Sequence, residues 1–105
     1  MGIMSWLLGA SCDNLTADEV KSMKKNGEKF VLIDVRMPHE TASRSIEGAK
    51  LIPLQEFDRR HSEIPQDKDV VLYCQNGIRS IMACRYLKKL GYSRVKNLEG
   101  GISRW

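Results

Sequence analysis

Runs of consecutive apolar residues alternate with stretches of helical periodicity along most of the chain. Residues 30–33 and 70–73 are unbroken apolar runs rich in branched side chains, a pattern typical of strands that are buried on both faces. Shorter candidate strands lie at residues 49–52 and 94–98. Strands that alternate with helices form a parallel sheet with helices on both faces, so the pattern predicts an α/β fold.

Three segments are predicted to be helical. Residues 16–19 read Thr-Ala-Asp-Glu, a capping box that opens a helix, and the Asn-Gly pair at residues 26–27 ends it. Residues 54–62 carry apolar side chains at helical spacing. Residues 79–90 carry a stronger apolar stripe, and the glycine that follows is a common helix stop.

The length of 105 residues and the hydrophobic fraction of 42% predict a single globular domain. We divide the chain into an apolar N-terminal arm, residues 1–12, and one domain, residues 13–105. The apolar stretch in the arm is shorter than the ~20 residues of a membrane-spanning helix. We expect it to pack on the domain, with a weak membrane or partner contact as the alternative. No feature indicates an oligomer, and a monomer is expected.

The net charge of +4 comes from 17 Lys and Arg against 13 Asp and Glu. The basic residues are scattered rather than clustered with aromatic residues, which argues against a nucleic-acid partner. A mild cationic excess is compatible with a small anionic substrate or an acidic partner.

The chain has three cysteines, Cys12, Cys74 and Cys84. An odd number without a CxxC pair argues against a disulfide framework and against a zinc site. A reducing compartment, the cytoplasm, is therefore expected. Cys84 lies on the apolar stripe of the third helix and is expected in the core, whereas no particular role is expected for Cys12.

Cys74 has a different setting, because the strand at residues 70–73 runs directly into the loop that contains it. Such loops lie beyond the carboxyl ends of parallel strands, where reactive groups collect. We expect the amides of residues 75–79 and the following helix N-terminus to favour the thiolate. Gly77 permits a sharp turn, and Arg79 supplies a permanent cation that faces the substrate or organises the loop.

The motif Cys74-x-x-Gly77-x-Arg79-Ser80 resembles the active-site loop of rhodanese domains. Three further segments are similar to landmarks of that family, in order and at the expected spacing. They are Leu32-Ile33-Asp34-Val35-Arg36 with Pro38 and Glu40, then Ile46-Glu47-Gly48-Ala49 with Ile52-Pro53-Leu54, and finally Asn97-Leu98-Glu99-Gly100-Gly101-Ile102 with Trp105.

The resemblance implies a rhodanese-like fold, with a central parallel sheet of about five strands, and Cys74 at the bottom of a shallow pocket. It also implies sulfur transfer through a Cys74 persulfide, from thiosulfate or another persulfide to a thiol or cyanide, with no cofactor or metal. A protein partner in a sulfur relay fits the same chemistry. The implied substrate-binding residues are Gln75, Asn76, Gly77, Ile78, Arg79 and Ser80, and the implied supporting residues are Asp34, Arg36 and Glu40.

Two other functions compete with this interpretation. A phosphatase would need five residues between Cys and Arg in order to cradle a phosphate, and here only four residues separate Cys74 from Arg79. A rhodanese-like module that binds partners without catalysis is the second alternative, although Cys74 argues against it because non-catalytic relatives usually lack the loop cysteine.

Overall fold

The computed structural model describes residues 11–105, and residues 1–10 of the predicted arm lie outside the described residues. The strands are β1 (Asp13–Leu15), β2 (Val31–Asp34), β3 (Lys50–Leu51), β4 (Val70–Tyr73) and β5 (Val95–Leu98). The α-helices are α1 (Ala17–Lys25), α2 (Pro38–Ser43), α3 (Phe57–Arg60) and α4 (Ile78–Lys89).

The five strands form one sheet in the order β1-β5-β4-β2-β3. All four neighbouring pairs are parallel, which confirms the predicted α/β class. The central strand β4 pairs with β2 so that Asp34 lies opposite Tyr73. The carboxyl ends of these two strands therefore lie side by side, and the segments that follow them meet at the same edge of the sheet.

The side chains of β4 alternate between two apolar clusters, one on each face of the sheet. Val70 and Leu72 pack in the cluster that includes Phe57 of α3 and Leu87 of α4. Val71 and Tyr73 pack in the opposite cluster, which contains Val20 of α1. Burial on both faces explains why this strand reads as a continuous apolar run.

The capping box predicted for the first helix is present. Thr16 Oγ1 accepts a hydrogen bond from the Glu19 amide at 3.1 Å, and the Thr16 amide donates to Glu19 Oε1 at 2.9 Å. The single helix predicted at residues 54–62 is instead broken into a 3₁₀ turn, the short helix α3 and a second 3₁₀ turn. The short helix α2 and the edge strand β1 were not predicted, because neither carries a run of apolar residues.

Among residues 11–105, no helix has both the length and the apolar character needed to cross a membrane.

Candidate active site

Cys74 follows β4 directly, and the loop after it leads into α4. Gly77 caps the amino end of α4 with φ of 97°, a left-handed conformation that strains any residue with a Cβ. A Cβ at this position would also lie 3.2 Å from the Gly100 nitrogen. The turn therefore requires glycine, and any Cβ here would also make a tight contact with the C-terminal segment.

The Cys74 sulfur is held by hydrogen bonds from the start of α4. The amides of Gly77 and Ser80 donate to Sγ at 3.1 and 3.4 Å, and the Ser80 hydroxyl lies 3.3 Å away. Burial by itself raises the pKa of the Cys74 thiol, but the hydrogen bonds to the sulfur, those from the Ser80 and Gly77 amides among them, outweigh it and leave that pKa below its ordinary value. The site therefore favours the thiolate more than an apolar pocket would.

The amides that donate to the sulfur differ from the set expected from the sequence, which was residues 75–79. Ser80, outside the expected range 75–79, supplies one of the two amides that donate to the sulfur. The Ile78 amide instead donates to Asn76 Oδ1 at 3.2 Å. That oxygen lies 4.0 Å from Cys74 Sγ, within reach of the thiol proton.

The expectation that Cys74 lies open at the bottom of a pocket is wrong for this structure, because the residue has no exposed surface. Gln75, Asn76 and Ile78 are exposed around it. The sulfur lies in one of the two apolar clusters, since β4 and α4 carry it below the loop surface.

A buried ion pair supports the end of β2 next to the loop. Arg36 donates to both carboxylate oxygens of Asp34, at 3.0 and 2.8 Å, and reaches Gln75 Oε1 at 3.3 Å. Tyr73 donates to Asp34 Oδ2 at 3.0 Å. None of these hydrogen bonds involves the Cys74 sulfur. Asp34 and Arg36 lie at the edge of the site, and Arg36 links β2 to the loop through Gln75.

The Arg79 side chain is paired with Glu40. Two parallel hydrogen bonds of 2.7 Å join the guanidinium to the carboxylate, and the Arg79 hydrogen bonds hold the pKa of Glu40 down at about 2. This bidentate contact ties α2 to the first turn of α4. Arg79 is thus committed to an ion pair with Glu40 and is not a free cation.

Sequence reasoning missed a second brace, the 3₁₀ turn Gly101–Arg104 at the carboxyl end of the chain. The Ile102 amide donates to the Cys74 carbonyl at 2.9 Å, and the Ser103 amide donates to the Gln75 carbonyl at 3.0 Å. A Cβ on Gly101 would overlap the Gln75 carbonyl oxygen at 2.6 Å. The paired glycines of the C-terminal motif were the available signal for this close approach.

The expectation that the chain has no disulfide is also wrong, because Cys12 and Cys84 are bonded to each other. The two residues are 72 positions apart, and sequence spacing alone cannot predict which cysteines pair at that distance. Cys84 is fully buried, as expected, but as half of a disulfide, and Cys12 gains a structural role. The bond also removes the basis for assigning a reducing compartment. Cys74 is the free cysteine.

Within residues 11–105, no group of three or more His, Cys, Asp or Glu side chains is arranged to hold a metal ion.

Comparison with known proteins identifies the family of this chain. The Rhodanese-like domain model matches residues 16–105. A sulfurtransferase from Allochromatium vinosum is 41% identical over 93 residues, which cover 89% of this chain and 87% of that protein. A putative sulfur carrier protein from Bacillus subtilis is 30% identical, over 91% of this chain and 52% of its own length. The crystal structure of a rhodanese-like domain protein from Staphylococcus aureus superposes with a TM-score of 0.83 at 30% identity, covering 89% of this chain and 90% of that one. The chain therefore belongs to the Rhodanese-like domain family.

Proposed function

We propose that this protein is a sulfurtransferase that carries sulfur as a persulfide on Cys74. The observation that supports this most directly is the pair of amides, from Gly77 and Ser80, that donate to the Cys74 sulfur at the amino end of α4. Hydrogen bonds aimed at a sulfur stabilise it as an anion, and an anionic sulfur is the nucleophile that persulfide chemistry requires. A relative named as a sulfurtransferase supports the same reaction class.

The proposed reaction has two steps. The Cys74 thiolate attacks the outer sulfur of thiosulfate, the bond between the two sulfurs of thiosulfate breaks, and sulfite leaves with the electron pair. The product is a Cys74 persulfide, whose negative charge the same two amides can accept. An acceptor thiolate or cyanide then attacks the outer sulfur of the persulfide and regenerates the Cys74 thiolate.

A donor can reach the sulfur only if the loop above it moves, since Cys74 has no exposed surface. Asn76 is exposed and its side-chain oxygen lies 4.0 Å from Sγ. Rotation of an exposed side chain takes picoseconds to nanoseconds. We assign Asn76 as the residue that the donor displaces, with Gln75 and Ile78 at the surface of the same loop.

A persulfide on another protein is a second donor class, supported by the relative named as a putative sulfur carrier. The chemistry at Cys74 is the same, because only the leaving group changes from sulfite to a thiolate. Thiosulfate and a protein persulfide should therefore be tested side by side.

The test is intact-protein mass spectrometry after incubation with each donor, without reductant. The wild type should gain the mass of one sulfur atom, and subsequent cyanide should remove it as thiocyanate. Cys74→Ser should gain none, whereas Cys12→Ser should still gain it because Cys74 remains. A sulfur gain that persists in Cys74→Ser would exclude Cys74 as the carrier. No gain by the wild type from either donor would favour a non-catalytic binding module, and hydrolysis of an aryl phosphate would favour a phosphatase.

A further inference from the structure

A chain of hydrogen bonds leads from the Cys74 sulfur to the edge of the sheet. The Ser80 hydroxyl lies 3.3 Å from Sγ and also donates to Asn97 Oδ1. The Asn97 amide nitrogen in turn donates to Asn14 Oδ1 on β1 at 2.9 Å. Asn14 and Asn97 are direct partners in the pairing of β1 with β5. The position of the edge strand therefore determines whether Asn14 can accept this hydrogen bond from Asn97.

The direction of these hydrogen bonds matters for the sulfur. A serine hydroxyl has one proton, and here Asn97 Oδ1 accepts it. The Ser80 oxygen is then left to accept from the Cys74 thiol rather than to donate to a thiolate. Asn97 is 1% exposed, and its contact with Asn14 keeps its amide oxygen turned towards Ser80. In this arrangement the Ser80 hydroxyl does not donate to the sulfur, so it opposes the Gly77 and Ser80 amides, which favour the thiolate.

The disulfide joins the two elements of the fold that carry Asn14 and Ser80. Cys12 is two residues before Asn14, and Cys84 is four residues after Ser80, one turn further along α4. The bond therefore fastens the strand that carries Asn14 to the helix that carries Ser80. Strand β1 is three residues long and, within residues 11–105, lies at the edge of the sheet with β5 as its one partner. Such a short edge strand depends on additional links to keep its place.

We propose that the Cys12–Cys84 disulfide is a redox control of Cys74, with Asn14, Asn97 and Ser80 as the positioning residues that transmit it. This proposal rests on the proposed function of Cys74. A dithiol reduces the bond with two electrons, leaving two thiols on the protein and becoming a disulfide itself. No bond to Cys74 changes. Once β1 is loosened, Asn97 is free to turn its amide, and Ser80 can then donate its proton to the Cys74 thiolate.

Cys12 is placed to receive the reductant. It is partly exposed, whereas Cys84 is fully buried, so a dithiol attacks the Cys12 sulfur and Cys84 departs as the leaving thiolate. The oxidised form would store Cys74 in its less reactive state, and reduction would activate it.

The test measures the rate at which iodoacetamide alkylates Cys74 as a function of pH, with peptide mapping to score this cysteine alone. The oxidised wild type is compared with Cys12→Ser/Cys84→Ala, which needs no reductant, and with Asn14→Ala. Asn26→Ala is the matched control, because Asn26 is an exposed asparagine at the end of α1. We expect alkylation at neutral pH about fivefold faster in both test variants, the effect of redirecting roughly one hydrogen bond to the sulfur, and no change in the control.

Ser80→Ala separates this mechanism from a general loosening of the fold. Without the hydroxyl, loss of the disulfide should no longer change the alkylation profile. The proposal is overturned if the disulfide-free variant alkylates like the oxidised wild type, or if its acceleration persists in the Ser80→Ala background. Alkylation does not require sulfur transfer, so this result is independent of whether Cys74 accepts sulfur from any donor.

Discussion

Replacing Glu40 by Gln should lower the free energy of unfolding by about 1 kcal/mol at neutral pH, because it removes the negative charge that pairs with Arg79. Both Glu40 oxygens accept from Arg79 at 2.7 Å. One of them, Oε1, also accepts from the Met37 amide at 3.1 Å. Glutamine keeps an oxygen for Met37 but loses the charge, so the substitution isolates the contact between α2 and α4.

The magnitude follows from the pKa and the exposure of the pair. A fall in the pKa of Glu40 from 4.5 to about 2 would correspond to about 3 kcal/mol if the pair were fully shielded. The side chains are 21% and 35% exposed for Glu40 and Arg79. Solvent therefore screens the interaction, and we expect about a third of that value to remain.

The pH dependence gives the sign. The folded pKa of Glu40 lies below the unfolded one, so the stabilisation is complete above the unfolded value of 4.5 and is lost as the pH falls towards 2. Urea denaturation at pH 7 and at pH 2.5 should therefore show a difference between wild type and Glu40→Gln that shrinks on acidification. Glu47→Gln, at an exposed position, should show no difference at either pH. An equal difference at both pH values would refute the ion-pair argument.

One substitution and one reduction test the contacts that hold the Cys74 loop and the edge strand. Gly101→Ala would drive a Cβ into the carbonyl oxygens of Cys74 and Gln75, so we expect a loss of stability above about 2 kcal/mol together with loss of sulfur loading at Cys74. Gly91 also has a positive φ, but a Cβ there would meet no atom within 4 Å. Gly91→Ala should therefore lower the stability by only about 1 kcal/mol. Equal losses in the two variants would contradict the proposed clash. The Cys12–Cys84 bond closes a loop of 72 residues. Its reduction should lower the free energy of unfolding, measured by urea denaturation, by about 4 kcal/mol, because the unfolded chain regains the entropy of that loop. A change below about 1 kcal/mol would contradict the loop-entropy argument.

Much of the architecture could be predicted because it rests on local patterns. The apolar run at residues 70–73 became the central strand β4, since a strand buried on both faces needs apolar side chains in both directions. The capping box at Thr16 formed because its two hydrogen bonds join residues three positions apart. The position of Cys74 between β4 and α4 follows from the same reasoning.

The features that could not be predicted involve residues far apart in the sequence. Strand β1 has no apolar run, and it is a strand because β5 offers it a paired edge. The bond from Cys12 to Cys84 depends on the distance between two backbones that only the folded chain brings together. The burial of Cys74 depends on how β4, α4 and the C-terminal turn close around it.

By itself, then, the sequence determined the α/β class, the central strand, the first and last α-helices and the loop that contains Cys74. Each of these depends on neighbouring residues or on the regular spacing of apolar side chains. The tertiary structure alone decided that the sulfur is covered, that Arg79 is committed to Glu40, and that Asn14 and Asn97 extend the contacts of Ser80 to the sheet edge. Hydrogen bonds and disulfides between distant segments form only where packing brings their partners within a few ångströms, and no local pattern encodes that distance.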